Sequence, residues 1–245
     1  MSWYQRTPVV TSGTAVGHGA DLGYAVSWRR QPGRAYFITK RLIDVTGALV
    51  VLALLAPFLL LIAAAIRLHS PGPALYISER IGCDPTTGRI RPFRMIKFRS
   101  MRIDADSTVH QEHMAGIIRN GDVAPESGCL KMAHDHRITG LGRILRKLSI
   151  DELPQLYNVI MGDMSLVGPR PALPYEVEAY KPWHRRRLMA PPGMTGWWQV
   201  KGRNCVSFDE GVIMDIYYVE HRSPGMDLKV LLLTPLAVLR GRGAG

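Results

Sequence analysis

The chain has 245 residues, enough for one sizeable domain or for one domain with an attached membrane segment. Hydrophobic residues make up 47% of it, an ordinary fraction that excludes a protein lying mostly within lipid. The net charge of +11 predicts an anionic partner, and nucleic acid, acidic lipid headgroups and phosphorylated substrates are the three candidates. The cysteines Cys83, Cys129 and Cys205 are odd in number and far apart, which favours a reducing compartment over a disulfide framework.

The first two segments of the chain differ sharply in composition. Residues 1–35 are rich in glycine, serine, threonine and arginine and have no apolar periodicity, so they predict a flexible N-terminal arm. Residues 36–69 predict a membrane helix, because Val45–Ile66 contains no charged residue. A helix of about 20 apolar residues is long enough to cross the hydrocarbon core of a bilayer.

Pro57 lies near the middle of this apolar segment and should bend or break the helix there. Basic residues flank the segment on both sides, which draws both ends towards the cytoplasm. These residues leave two topologies open, a helical hairpin that enters one leaflet and a kinked helix that spans the bilayer. A buried core helix of a soluble protein is a third and less favoured alternative.

Residues 70–245 are expected to form a cytoplasmic domain. The segments Ala74–Ile77 and Ile90–Phe98, joined by the turn-rich Asp84–Gly88, predict one β-hairpin. Apolar periodicity predicts helices over His110–Ile118, Arg137–Leu148, Leu153–Met161, Tyr175–Met189 and Asp227–Arg240. The predicted fold class is therefore mainly α with a small β-hairpin (α+β). Its amphipathic helices would either lie at a membrane interface or bury their apolar stripes in the core.

Two adjacent carboxylates, Asp151 and Glu152, lie at the start of a predicted helix. The structural explanation is a capping box, with Ser149 as the N-cap residue and Glu152 three positions later. The functional explanation is a catalytic pair, because a helix N-terminus favours both ionised carboxylates and bound phosphate. Neighbouring helical residues point in different directions, so the two carboxylates would need separate roles.

Several cations could hold a phosphorylated substrate near these carboxylates. Arg146 precedes Asp151 by about one and a half helical turns, and Lys97 and Arg99 have the spacing of one strand face. Pro169 and Pro171 restrict the backbone around Arg170, which suits bidentate phosphate recognition, although a rigid turn with a solvated arginine is an equally simple explanation.

The sequence contains two other candidate metal sites. Asp104-Ala105-Asp106 could hold a divalent metal against a nucleotide-sugar diphosphate, which would make the chain a metal-dependent glycosyl transferase. Cys129, His134 and His136 could approach one metal ion, but their spacing favours unrelated loop residues. A basic, non-catalytic membrane-binding module that holds acidic lipid or nucleic acid is the alternative from another functional class.

Four ordered blocks of the sequence resemble the bacterial sugar transferases, the monotopic phosphoglycosyl transferases. They are KFRSM at Lys97–Met101, RKLSIDELPQLYNVIMGDMSLVGPRP at Arg146–Pro171, PGMTGWWQVKGRN at Pro192–Asn204 and DIYYVEHRSPGMDLKVLL at Asp215–Leu232. With the KRLIDVTGALV segment that enters the membrane helix, the resemblance covers most of the chain from about Lys40 onward.

The resemblance implies transfer of a sugar 1-phosphate from a UDP-sugar to a polyprenyl phosphate such as undecaprenyl phosphate, with release of UMP. This reaction starts the assembly of exopolysaccharide, capsule or lipopolysaccharide O-antigen. By resemblance, Asp151 is the nucleophile of a ping-pong mechanism with a covalent phosphosugar intermediate, Glu152 is its catalytic partner, and Mg²⁺ binds at Asp151. The family's motifs also assign phosphate-binding roles to Lys97, Arg146 and Arg170.

The remaining expectations follow from the same blocks. Arg99 and Arg203 are further expected phosphate ligands, and Pro169, Pro171 and Asn204 are expected to form a nucleotide-sugar loop. The resemblance implies that residues 70–245 form a cytoplasmic catalytic domain behind a re-entrant helix broken at Pro57, where Ala56 replaces the family's serine. The expected location is the cytoplasmic face of a bacterial inner membrane with anionic lipids. Nucleic acid is not an expected partner, and a homodimer is left open.

Overall fold

The computed structural model describes residues 32–84, 88–102, 108–120, 137–201 and 206–239. The helices of these residues are α1 Arg34–His69, α2 Thr108–Asn120, α3 Gly140–Lys147, α4 Gln155–Met161, α5 Pro174–Ala179, α6 Trp197–Lys201, α7 Phe208–His221 and α8 Pro224–Leu239. The strands are β1 Leu75–Cys83, β2 Ile90–Phe98, β3 Ser165–Val167 and β4 Gly193–Thr195. Two 3₁₀ segments cover Ile150–Glu152 and Pro182–Met189. The predicted class, mainly α with a small β-hairpin, is confirmed.

The predicted hairpin is formed by β1 and β2, which pair antiparallel from Leu75 opposite Phe98 to Cys83 opposite Ile90. Its two edges are covered by other parts of the chain. The Ile81 amide donates to the Ala172 carbonyl at 2.8 Å on the β1 side. On the β2 side, Asn158 accepts from the Ile96 amide at 3.0 Å and donates to the Arg94 carbonyl at 2.7 Å. The hairpin is therefore joined to α4 and to the segment after β3, and these contacts satisfy part of each open edge.

Helix α1 runs without interruption through Pro57. Pro57 therefore does not divide α1 into two helices, as a break at Ala56-Pro57 would, and a bend at Pro57 stays a prediction. A proline removes one amide donor from the ladder, and the hydrogen bonds before and after it are enough to keep one helix continuous. The helix is long and apolar enough to cross a membrane, and only 11% of its most apolar window is buried, which disfavours a soluble core helix.

Helix α1 packs against the domain both before and after Pro57, and part of its apolar surface stays open. Ala48 is fully buried in a cluster with residues of β2 and α4, and Val51 and Leu52 pack against this cluster. Nearer the end of the helix, Ile62 and Ile66 pack in a second cluster with residues of β2 and α3. Other apolar side chains in this part of the helix are open, and Leu54 is 74% and Leu60 is 72% exposed.

Two local predictions are corrected by the backbone. Tyr175–Met189 is not one helix, because α5 ends at Ala179 and a 3₁₀ segment begins at Pro182. The proline disfavours the helical conformation for the residue before it. Ser149 is not the capping-box residue, since it has φ of 56° and its side chain makes no capping hydrogen bond. A capping box instead opens α7, where Ser207 and Glu210 bond each other's amides.

The short parallel pair β3–β4 brings two sequence blocks into contact. The Gly168 amide donates to the Thr195 carbonyl at 2.9 Å, and the Gly193 amide donates to the Pro169 carbonyl at 2.8 Å. A Cβ at Gly193 would lie 2.0 Å from the Gly168 nitrogen, so glycine is required for this close approach. The Pro-Arg-Pro segment and the loop that leads to α6 consequently lie side by side.

Candidate active site

A cavity of about 220 Å³ lies between the hairpin, the 3₁₀ turn at Ile150–Glu152 and the segments after β3 and β4. Four cations and two carboxylates line it: Arg80, Lys97, Arg146, Arg170, Asp151 and Glu152. The lining also includes the amides of Gln155 and Gln199 and apolar groups from Met95, Met194, Trp198, Ala237 and Val238. Residues from distant parts of the sequence therefore form one basic cavity around two adjacent carboxylates.

The turn that carries the carboxylates has an unusual backbone. Among the described residues, Ser149 is the only non-glycine residue with positive φ. Its amide donates to the Arg146 carbonyl at 3.1 Å, and its carbonyl accepts from the Glu152 amide at 3.3 Å. The chain therefore leaves α3 abruptly and places Asp151, 7% exposed, in the cavity lining. Left-handed conformations at non-glycine residues are costly and are concentrated at functional sites.

Lys97 projects from β2 into the same cavity. Burial and the nearby positive charges of Arg80 and Arg146 lower the pKa of Lys97 to about 8, while Asp151 and Glu152 partly oppose this shift. The ammonium also lies 5.4 Å from the centre of the Tyr76 ring. This lysine is a cation whose charge depends on pH in the neutral to mildly alkaline range.

Arg170 lies in a segment whose backbone is fixed on both sides. Arg80 donates to the Pro171 carbonyl at 3.2 Å, and Arg187 donates to the Arg170 carbonyl at 3.4 Å. Arg187 is itself paired with the buried Asp215 at 2.5 Å. These contacts hold the backbone around Arg170, whose side chain lines the cavity.

Most of the predicted site residues are brought together, and one is not. Asp151, Glu152, Lys97, Arg146, Arg170 and Pro171 all line the cavity, while Pro169 accepts the hydrogen bond from Gly193 behind it. Arg99 donates instead to the carbonyls of Pro71 at 2.5 Å and Ser70 at 2.7 Å. Strand β2 ends at Phe98, so the alternation that would place Arg99 beside Lys97 stops one residue too early. Arg203, Asn204, Asp104, Asp106, Cys129, His134 and His136 lie outside the described residues.

Sequence reasoning missed several cavity residues, of which Arg80 carries the most charge. The pairing of the two strands places Arg80 on the same face of the hairpin as Lys97. Arg80 lies opposite Phe93, and Tyr76 lies opposite Lys97, so β1 and β2 present Arg80 and Lys97 on one face of the hairpin. Gln155 and Gln199 belong to helix ends that reach the cavity only through tertiary packing.

The carboxylates could also hold a metal ion. In the described ranges there is no group of three or more His, Cys, Asp or Glu side chains suited to a metal. Asp151 and Glu152 supply two carboxylates next to four cations. Mg²⁺ is usually bound by one or two carboxylates together with substrate phosphates and water, so this donor set fits Mg²⁺ carried in with a phosphorylated substrate.

The family model described as bacterial sugar transferase matches residues 35–241, which include every residue of the cavity. The chain belongs to this family. Similar members include the galactosyl transferase CpsE of Streptococcus agalactiae, 43% identical over 216 residues that cover 86% of this chain and 44% of CpsE. The undecaprenyl-phosphate galactose phosphotransferase of Salmonella typhimurium is 39% identical over 207 residues, which cover 84% of this chain and 41% of that protein.

Bacterial sugar transferases of this chain's own size are also similar to it. The exopolysaccharide production protein ExoY of Rhizobium meliloti is 38% identical over 208 residues, which cover 84% of this chain and 88% of ExoY. The chain thus spans less than half the length of the first two relatives and nearly all of the third. The sequence resemblance is confirmed at the level of the family.

Proposed function

We propose that this bacterial sugar transferase transfers a sugar 1-phosphate from a UDP-sugar to undecaprenyl phosphate and releases UMP. The observation that carries the proposal is the cavity in which four cations surround Asp151 and Glu152. Relatives named UDP-galactose-lipid carrier transferase and undecaprenyl-phosphate galactose phosphotransferase support the same reaction class. An apolar helix on the same domain supports a lipid-linked acceptor.

In the first half-reaction, a carboxylate oxygen of Asp151 attacks the phosphorus that carries the sugar. A bond forms between this oxygen and phosphorus, while the phosphoanhydride bond breaks and UMP leaves with the bonding electron pair. The attacking and leaving groups are both oxyanions, so no proton is transferred. The protein then holds a sugar phosphate joined to Asp151, which divides the transfer into two easier steps.

In the second half-reaction, a phosphate oxygen of undecaprenyl phosphate attacks the same phosphorus. The bond to Asp151 breaks, the carboxylate is restored, and the product is a sugar joined to undecaprenyl through a diphosphate. Lys97, Arg146 and Arg170 line the cavity in which both phosphoryl groups must bind. Phosphoryl transfer depends mainly on positioning and on compensation of negative charge, and fixed cations provide both.

Asp151 and Glu152 would hold Mg²⁺ together with the diphosphate of the substrate. The ion would supply further positive charge at the phosphate oxygens. Glu152 is half-buried beside Asp151, and its separate direction on the turn suits a supporting role that leaves Asp151 available for attack.

The proposal places the protein at the cytoplasmic face of a bacterial cell membrane. Helix α1 contacts the same domain before and after Pro57 and carries exposed apolar side chains such as Leu54 and Leu60 in between, which supports a helix that enters and leaves one leaflet. Helix α8 adds an exposed apolar stripe of Leu228, Leu232 and Leu236 at four-residue spacing. Such a stripe is suited to the interface of a bilayer, and α8 also lines the cavity through Ala237 and Val238.

The test uses the full chain in phospholipid nanodiscs with Mg²⁺, undecaprenyl phosphate and a panel of labelled UDP-sugars. We expect UMP release and label in the lipid for at least one sugar. With no acceptor, one UMP should be released per protein molecule, and a sugar phosphate should be found on Asp151 by mass spectrometry. Asp151→Asn should reduce turnover by at least about 1,000-fold. The control is Glu178→Gln, which removes an exposed carboxylate on α5 and should leave turnover unchanged.

Two outcomes would contradict the proposal. Release of UDP in place of UMP would indicate a glycosyl transferase that breaks the bond between sugar and phosphate. Failure of the whole panel to label lipid, with correctly folded protein, would indicate that the cavity serves a different phosphorylated ligand.

A further inference from the structure

We propose that Arg80 binds the diphosphate of the nucleotide sugar and is a substrate-binding cation of the cavity, in addition to the arginines found in the sequence motifs. The identity of the ligand rests on the proposed function. The requirement for an anion at this position rests on the burial and the contacts of Arg80 itself.

Arg80 is a buried charge with few partners. It is 7% exposed, and its guanidinium donates to the Pro171 carbonyl at 3.2 Å and to the Ser78 hydroxyl at 3.4 Å. No carboxylate among the described residues forms a salt bridge with it at 4.0 Å or less. A guanidinium has five N–H donors, so most of its donors have no acceptor among these residues. Buried arginines are normally paired, because an unpaired buried charge is costly.

The charges around Arg80 increase this cost. Burial and the neighbouring Arg170 together lower the pKa of Arg80 to about 10, and Glu176 and Glu152 only partly oppose the shift. Lys97 and Arg146 line the same cavity and add positive charge. A bound diphosphate would supply the negative charge that the described part of the protein lacks at this position. Arginine is also the side chain best suited to bidentate contacts with phosphate.

The position of Arg80 allows such a contact. It lies on β1 on the hairpin face that carries Lys97, and it lines the cavity. Its bonds to the Pro171 carbonyl and the Ser78 hydroxyl use Nη1 and Nε and leave Nη2 for a ligand. A purely structural role, in which Arg80 only holds the Pro171 segment, is the competing explanation, and it predicts a different effect on stability.

The experiment compares Arg80→Met, Arg80→Lys and wild type as full chains in nanodiscs. Arg94→Met is the matched control, because Arg94 is an exposed cation on the same hairpin. Calorimetry measures the affinity for UDP and for inorganic pyrophosphate, and thermal unfolding is followed without ligand. We expect Arg80→Met to lower the affinity for both ligands by about 10- to 100-fold, since hydrogen bonds between charged groups are stronger than those between neutral groups. Arg80→Lys should recover part of the affinity, and Arg94→Met should remain within about twofold of wild type.

The ligand-free Arg80→Met protein should unfold at the same temperature as wild type or higher, because the substitution removes an unpaired buried charge. Unchanged affinity for UDP and pyrophosphate would overturn the inference. A lower unfolding temperature would also overturn it, because that result identifies a structural contact. UMP release by wild type is measured separately. If wild type releases UMP but Arg80→Met binds UDP and pyrophosphate as tightly as wild type does, only this inference is refuted. If Arg80→Met weakens binding but wild type shows no turnover, only the proposed function is refuted.

Discussion

The Lys40 ammonium lies 3.1 Å from the Asp227 carboxylate, which joins the first turns of α1 to α8 across 187 positions of the chain. Both side chains are buried. The same ammonium donates to the Val167 carbonyl at 3.0 Å, and the Tyr218 hydroxyl donates to Asp227 at 2.6 Å. This network attaches the start of the apolar helix to the strand that precedes the Pro-Arg-Pro segment.

Lys40→Met should destabilise the protein by about 3–5 kcal/mol, because it leaves the Asp227 carboxylate buried without its cation. Thermal and denaturant unfolding in detergent micelles would measure the change. Lys181→Met is the control, since its pair with Asp209 is partly exposed and such pairs contribute about 0–1 kcal/mol. Equal losses in the two variants would show that the buried network does not hold α1 in place.

The glycines of α3 should respond differently to alanine. A Cβ at Gly142 would lie 2.0 Å from the Ser100 carbonyl oxygen, whereas at Gly140 the nearest atom is 3.9 Å away. Gly142→Ala should therefore cost about 1–3 kcal/mol through overpacking and should reduce turnover, since α3 carries Arg146. Gly140→Ala should be neutral or slightly stabilising. Comparable unfolding midpoints for the two variants would contradict the tight contact between α3 and Ser100.

The affinity for substrate should decrease as pH rises above about 8. The pKa of Lys97 in the ligand-free protein is lowered to about 8, so the charged form is dominant below this pH and is lost above it. A neutral lysine no longer attracts phosphate, and kcat/KM for the UDP-sugar should fall accordingly. Lys97→Arg keeps its charge, so its kcat/KM should not fall above about pH 8, even if its maximal rate is lower. If kcat/KM of Lys97→Arg still falls above about pH 8 as in wild type, the decrease belongs to another group.

Asn158→Ala should destabilise the hairpin by about 1–3 kcal/mol, because the Ile96 amide and the Arg94 carbonyl lose their partner. Turnover should fall as well, since Lys97 follows Ile96 on the same strand. Asn158→Asp keeps the acceptor for Ile96, removes the donor to Arg94 and places a second carboxylate near Asp163, at present 3.4 Å from the Asn158 amide nitrogen. Hydrogen exchange at Ile96 would separate the variants. Protection should be lost in Asn158→Ala and largely kept in Asn158→Asp.

The predictions that held were those that depend on local pattern. The long apolar helix follows from an uncharged segment, and the hairpin follows from two β-prone runs around a turn. The arginine between Pro169 and Pro171 is recognisable because proline restricts the backbone locally. Predictions that extended a pattern past the end of its element failed. Arg99 lies one residue beyond β2, and Pro182 divides the helix expected over Tyr175–Met189.

The adjacent carboxylates Asp151 and Glu152, their spacing from Arg146 and the strand that carries Lys97 could all be read from the sequence by itself. Tertiary structure alone decided that these residues meet Arg170 and Arg80 in one cavity. It also decided that Ser149 adopts a left-handed conformation in place of a capping role. The reason is physical: helix and strand periods are set by neighbours in the chain, whereas a cavity is formed by contacts between distant segments. Burial then determines which charges need a ligand, as it does for Arg80.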